Sequence, residues 1–304
     1  MWTVVAFVAI IAGVSANADT LQAVPEINAD PRIVSGWEAR EGQFPYMIYL
    51  RTVRWTGDVT ACGGSIIHRS WGLTSARCTA QRVEIIVQAG SVSLKAPRVT
   101  LQVTSSFRPP GYDDTLQPIT QPNDISVIRF SQDLTFNSNI QPIRLQRSAD
   151  MNRDYERVRM TTSGWGSTET CNQLTCPTPD ILNWTYLSGW TNFMCLLAFN
   201  SNYLVRQTTI CAGPYNVTSQ SICAGDGGVP LTTIDVDGGV TQIGVGSFVS
   251  NFGCHVGLPG AFTRPGHYLD WIRQVTGINF DWNPRVAADE INAQAQEYSE
   301  SLKY

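Results

Sequence analysis

The chain has 304 residues, 43% of them hydrophobic, enough for one large domain or two small ones around a buried core. Only 15% are charged, and 21 basic against 25 acidic side chains leave a net charge of -4, which argues against nucleic acid as a partner.

Residues 1–18, MWTVVAFVAIIAGVSANA, form an apolar run ending in Ala16, Asn17 and Ala18, the small-residue pattern of a cleaved secretory signal. Its unbroken apolar core is short of the roughly 20 residues a membrane span needs. No later stretch is long and apolar enough to span, so a soluble, secreted, extracellular product is expected. Secretion turns the eight cysteines, Cys62, Cys78, Cys171, Cys176, Cys195, Cys211, Cys223 and Cys254, into expected disulfides. No CxxC pair or cluster of Cys and His supports zinc, so no metal and no cofactor is expected. Asn183 and Asn216 each open an Asn-X-Thr sequon and are candidate glycosylation sites.

From Ile33 to about Ile278 short β-rich segments alternate with Gly, Pro, Asn and Asp: YMIYL, GSIIH, GLTSA, VEIIVQAG, RVTLQV, ISVIRF, MTTSGWG and QIGVGSFV. Many short strands at close spacing predict an all-β barrel or sandwich. Helices are scarce. YLDWIRQV (268–275) is the exception, with Leu269, Ile272 and Val275 on one face. After Phe280 the composition shifts to Ala, Gln and acidic residues, and residues 279–304 are read as a solvated C-terminal tail, with a weak amphipathic helix docking on a partner or on the barrel as the alternative.

Six segments follow one another in a telling order: RIVSGWEAREGQFPYM, CGGSIIHRSWGLTSARC, NDISVIRF, SGWGST, CAGDGGVPL and PGAFTRPGHYLDWI. Order and content resemble the chymotrypsin-like (trypsin family) serine proteases over residues 33–278. The resemblance implies two antiparallel six-stranded β-barrels, divided near residues 141–160, with a C-terminal helix and a cleft between the barrels. It implies a propeptide over 19–32, cleaved between Arg32 and Ile33, whose new amino terminus pairs with Asp226. It also implies the bridges Cys62–Cys78, Cys195–Cys211 and Cys223–Cys254, with Cys171–Cys176 left by elimination.

The family's chemistry needs a serine nucleophile, a histidine base and an orienting aspartate. In this sequence the histidine position of TSARC is Arg77, the aspartate of NDISV is Asp124, and the serine position of GDGGVP is Gly227. Arginine keeps its proton near neutrality and glycine carries no attacking atom. His68, His255 and His267, the chain's only histidines, are expected away from this site. The expectation is therefore a catalytically degenerate homologue, not an enzyme, that binds extracellular proteases, inhibitors or cascade components and regulates proteolysis. A family endopeptidase with residual or unusual activity is the alternative, and a surface-binding protein, for instance on a polyanion, is a third.

The resemblance further implies an oxyanion hole from the N–H groups of Gly225 and Gly227. Ser221, Ser247, Phe248, Val249 and Gly260 would line the pocket, Val249 narrowing it. Val229 stands where a glycine is usual, which predicts altered packing, and Ser35 replaces the usual glycine of the activation segment, which counts against insertion of the new amino terminus. Arg77 is expected to grip Asp124 with a two-bond fork, the alternative being an Arg77 turned to solvent.

Overall fold

The computed structural model describes residues 36–117, 119–167, 178–200 and 203–283. The expected signal, propeptide, Arg32, Ile33, Ser35, Cys171, Cys176 and the tail from residue 284 lie outside the described residues.

After a two-residue strand β1 (Trp37–Glu38) the chain forms β2 (Met47–Arg54), β3 (Val59–His68) and β4 (Trp71–Thr74). A one-turn helix α1 (Ala76–Thr79), β5 (Arg82–Ala89), β6 (Val99–Phe107) and β7 (Ser126–Phe130) follow. These six strands, β2 to β7, close as a barrel in the order β2-β3-β4-β7-β6-β5, with β5 returning to pair with β2. The alternation read in the sequence is what closes it: Ile48, Leu50, Ile66, Val87, Leu101 and Ile128 point inward and pack together.

The second half holds β8 (Arg144–Leu145), β9 (Arg159–Gly164), β10 (Asn183–Trp190), helix α2 (Asn192–Ala198) and β11 (Thr209–Pro214). Next come β12 (Pro230–Ile234), β13 (Val240–Phe248), β14 (Gly260–Thr263) and helix α3 (Leu269–Thr276). Strands β9-β10-β11-β14-β13-β12 close through the β12–β9 pairing, while β1 adds to β10 and β8 runs parallel to β13. Its core is Met160, Leu187, Ile210, Leu231, Ile243 and Phe262. Two six-stranded antiparallel barrels with a short C-terminal helix are thus the architecture expected from the sequence.

A third cluster joins the barrels, with Leu73, Ile125 and Val127 from the first meeting Val245 from the second and Leu269 and Ile272 from α3. Polar bonds cross the same seam: Ser65 Oγ donates to Gln242 Oε1 at 2.6 Å, and the Gly63 N–H donates to the Gly227 carbonyl at 2.8 Å. The seam fixes the strand ends that carry the site.

Among the described residues three disulfides, Cys62–Cys78, Cys195–Cys211 and Cys223–Cys254, are formed. The two sequons differ in access. Asn183 is fully buried on β10 and its Nδ2 donates to the Ile181 carbonyl at 2.8 Å, so the folded domain leaves no room for a glycan there. Asn216 is exposed in a turn and is the sequon open to modification. The boundary expected at residue 278 also moves: Phe280 packs on the third cluster, and Trp282 Nε1 donates to the Leu145 carbonyl at 2.9 Å. Residues 279–283 therefore dock on the barrels, because the aromatic rings in this stretch find apolar and cationic partners that a solvated tail would lack.

Candidate functional site

Strand β4 ends at Thr74, and Ser75, in extended conformation, starts α1. The Cys62–Cys78 bridge pins that helix to β3 and holds Arg77 at the mouth of the seam. Opposite it, Asn123 takes a left-handed turn (φ 60°) just before Asp124, and Tyr268 donates its hydroxyl to Asn123 Oδ1 at 2.9 Å. The turn aims a 2% exposed Asp124 side chain at α1.

Both carboxylate oxygens of Asp124 are engaged. Oδ1 accepts the Arg77 backbone N–H at 2.9 Å, and Oδ2 accepts the Ser247 hydroxyl at 2.7 Å. Burial pushes the Asp124 carboxyl up from the usual carboxylate range, against the pull of the Arg77 charge and of these hydrogen bonds. The Arg77 guanidinium approaches Asp124 through Nε at 3.7 Å, a single ion contact. The expected two-bond fork is not formed, because backbone and Ser247 donors already occupy the oxygens.

Instead the Arg77 guanidinium lies over Gly227. A Cβ built at position 227 would sit 3.1 Å from Arg77 Nη2, 3.2 Å from Arg77 Nε and 3.2 Å from Cys78 Sγ. The two departures from the serine–histidine pattern are therefore sterically coupled: the absent side chain at 227 is the space that Arg77 uses. Next to it Gly228 (φ +86°) is obligatory, since a Cβ there would meet Thr74 Oγ1 at 2.1 Å and the Gly63 carbonyl at 2.3 Å.

Asp226, the expected partner of the Ile33 amino terminus, is 1% exposed, and Gly164 and Gly166 leave the room its carboxylate fills. It accepts the N–H groups of Gly166 at 2.8 Å and Cys223 at 2.9 Å. Burial raises its pKa to about 6, those two bonds opposing the shift. Ile33 itself is outside the described residues. The N–H groups of Gly225 (φ +95°) and Gly227 flank Asp226 on the same loop.

The pocket residues gather on the second barrel. Ser221 is buried at 3% exposure, Phe248 stacks edge-on against Phe199 at 5.0 Å, and Gly260 faces Ile222. Val249 is half-buried and, like Ala224, packs on the Cys223–Cys254 bridge. Val229 is fully buried, and Gly63, Gly164 and Gly246 make room for its methyl groups. The altered packing expected at Val229 is thus absorbed by glycines on three neighbouring segments.

Among the described residues no hydrogen bond or ion pair joins His68, His255 or His267 to Arg77, Asp124 or Gly227. His68 Nδ1 accepts the Ser70 N–H at 3.2 Å, His255 is half-buried beside Cys254, and His267 has its pKa lowered by burial and then by Arg264. Sequence reasoning missed Arg82, whose Nη2 donates to the Arg77 carbonyl at 3.1 Å, and Tyr112, which shares the electrostatic surroundings of Arg77 and Asp124. No pattern in the sequence marked either one; strand register brings Arg82 beside α1.

Two β-barrels with a glycine-rich loop and a buried aspartate at their seam define a chymotrypsin-like protein. The trypsin family profile matches residues 33–272, and the chain belongs to that family. Collagenase of Hypoderma lineatum is 34% identical over 249 residues, covering 82% of this chain and 89% of that protein. Chymotrypsin-like elastase family member 1 of Canis lupus familiaris is 32% identical, covering 85% and 96%. A solved structure of HL collagenase superposes with a TM-score of 0.70 at 32% identity, covering 81% of this chain and 99% of that one.

These relatives overturn one expectation. The sequence reading made the chain no enzyme, yet proteins named collagenase and elastase share about a third of its residues across the whole domain. The physical reason is that a missing triad member does not empty such a site of chemistry. Binding and the oxyanion donors alone retain roughly 10³–10⁴-fold catalysis over water.

Proposed function

We propose that this trypsin-family protein is secreted and holds extended polypeptide in the cleft between its barrels, assisting or competing in extracellular proteolysis. The observation that carries this reading is the posture of Arg77 over Gly227. A permanent cation faces the loop whose backbone N–H groups would receive a substrate carbonyl, so Arg77 and the Gly225 and Gly227 donors together offer hydrogen bonds to a bound main chain. The apolar leader at residues 1–18 supports export, and the buried Asp226 supports activation by cutting after Arg32.

A second reading, peptide-bond hydrolysis with water as the attacking group, is favoured by the relatives named as proteases. One experiment separates the two. Purified chain cut after Arg32 is titrated with fluorescent extended peptides, while product formation and fluorophosphonate labelling are followed against a heat-denatured control. Saturable binding is expected. Product formation above the control moves the assignment to the second reading, and absence of any peptide binding removes the first.

A further inference from the structure

Arg54 closes β2 and Arg82 opens β5, and the two stand directly opposite each other in the ladder. Like charges so placed repel and cost stability. Arg82 is held by its Nε donating to Thr52 Oγ1 at 3.0 Å and its Nη2 donating to the Arg77 carbonyl at 3.1 Å, so it lies on the α1 side of the barrel, next to the cleft. Arg54 Nε and Arg82 Nη1 are buried without a hydrogen-bond partner. An unmade bond of this kind costs about 1–3 kcal/mol.

The nearby ion pairs go elsewhere: Arg51 to Glu84 at 3.6 Å, Arg77 to Asp124 at 3.7 Å and Arg108 to Asp114 at 2.7 Å. Among the described residues no carboxylate forms an ion pair with Arg54 or Arg82. Burial, with Arg54 next in weight, lowers the Arg82 pKa to about 10, so charge is crowded there and uncompensated. Beside the pair, Trp55 follows Arg54 in the chain and Val83 follows Arg82, 75% and 67% exposed. Beyond the two bonds that Arg82 makes to Thr52 and Arg77, the fold leaves part of each guanidinium without a partner.

We infer that Arg54 and Arg82 form a subsite at the cleft edge that binds an aspartate or glutamate side chain of a polypeptide, next to an apolar residue seated on Trp55 and Val83. The guanidinium fork matches a carboxylate in shape and charge. Glu84, opposite Val53 in the ladder, and Asp58, whose carbonyl accepts the Arg54 N–H, border the region, so no continuous basic track is available for a polyanion. The inference rests on the polypeptide-binding reading of the cleft.

The test uses the full chain cut after Arg32 and a set of labelled decapeptides. A single glutamate moves along a neutral, leucine-containing background, each peptide matched by its glutamine counterpart, with affinity read by fluorescence anisotropy. At one register the glutamate peptide is expected to bind roughly tenfold tighter than its counterpart, an advantage that 0.5 M salt (about a 4 Å screening length) erodes. Arg54→Gln and Arg82→Gln each abolish that advantage, Arg54→Gln leaves the glutamine peptide's affinity in place, and Arg54→Lys keeps part of it. Equal binding of the two peptides at every register, or a preference that survives both substitutions, overturns the subsite while the cleft reading stands. No binding of either set overturns both. Heparin retention that disappears in both variants, without any glutamate preference, overturns the carboxylate assignment in favour of a polyanion.

Discussion

At the scale of single residues, the site is ordered by which atoms reach Asp124 first. The α1 backbone and Ser247 fill the carboxylate oxygens, so the Arg77 guanidinium takes the space over Gly227. Gly227→Ser introduces a Cβ 3.1 to 3.2 Å from that guanidinium, closer than ordinary packing, and is expected to lower stability by about 1 kcal/mol in thermal unfolding. Arg77→His combined with Gly227→Ser relieves the crowding and places an imidazole beside a hydroxyl. The double variant should then react with a fluorophosphonate at position 227 about 10²-fold faster than Gly227→Ser alone. Equal labelling of the two would show that Arg77 is not what obstructs the site. The identities of Arg77, Asp124 and Gly227 were legible in the sequence because motif order marks each position, but the single contact in place of a fork was not. It depends on competition among donors from α1 and β13.

At the scale of elements, strands that alternate along most of their length, such as β2 and β5, were readable because one face of each is buried and the other wetter. Helix α2 escaped notice for the opposite reason. Its Phe193, Met194 and Leu197 are exposed and Cys195 is the buried residue, so no apolar stripe marks it. The docked segment after α3 was misread from composition. Arg144 lies 3.9 Å above the Trp282 ring and Arg147 5.1 Å from it, while Arg144 also grips Asp237 and holds the Asp237 carboxyl down, to about 2. Trp282→Ala removes two cation–π contacts and one hydrogen bond, and is expected to cost about 2 kcal/mol. A melting temperature lowered by roughly 4 °C or more would agree, and an unchanged one would return residues 279–283 to the status of a tail.

For the whole molecule, the seam between barrels makes stability depend on pH through Asp226. Its folded pKa of about 6 is above the ordinary 3.8, so between those values the folded state binds more protons than the unfolded one. Stability of the uncut chain should therefore rise as pH falls from 7 toward 5, by about 1 kcal/mol, and Asp226→Asn should reduce that slope, leaving the share of the buried Asp124. If activation proceeds as proposed, cutting after Arg32 would supply an amino terminus as counter-charge, and the slope should then disappear or reverse. Denaturant unfolding at several pH values measures this, and a parent slope indistinguishable from that of Asp226→Asn would remove Asp226 as its source.

The chain's order of motifs, its two-residue alternation and the chemical identity at positions 77, 124 and 227 belong to the sequence alone, because each is local and survives in any conformation. The posture of Arg77 over Gly227, the confrontation of Arg54 with Arg82 and the burial of Asn183 were decided only by the tertiary structure. Those outcomes join segments far apart in the chain, where barrel closure and strand register determine which groups meet and which lose access to water.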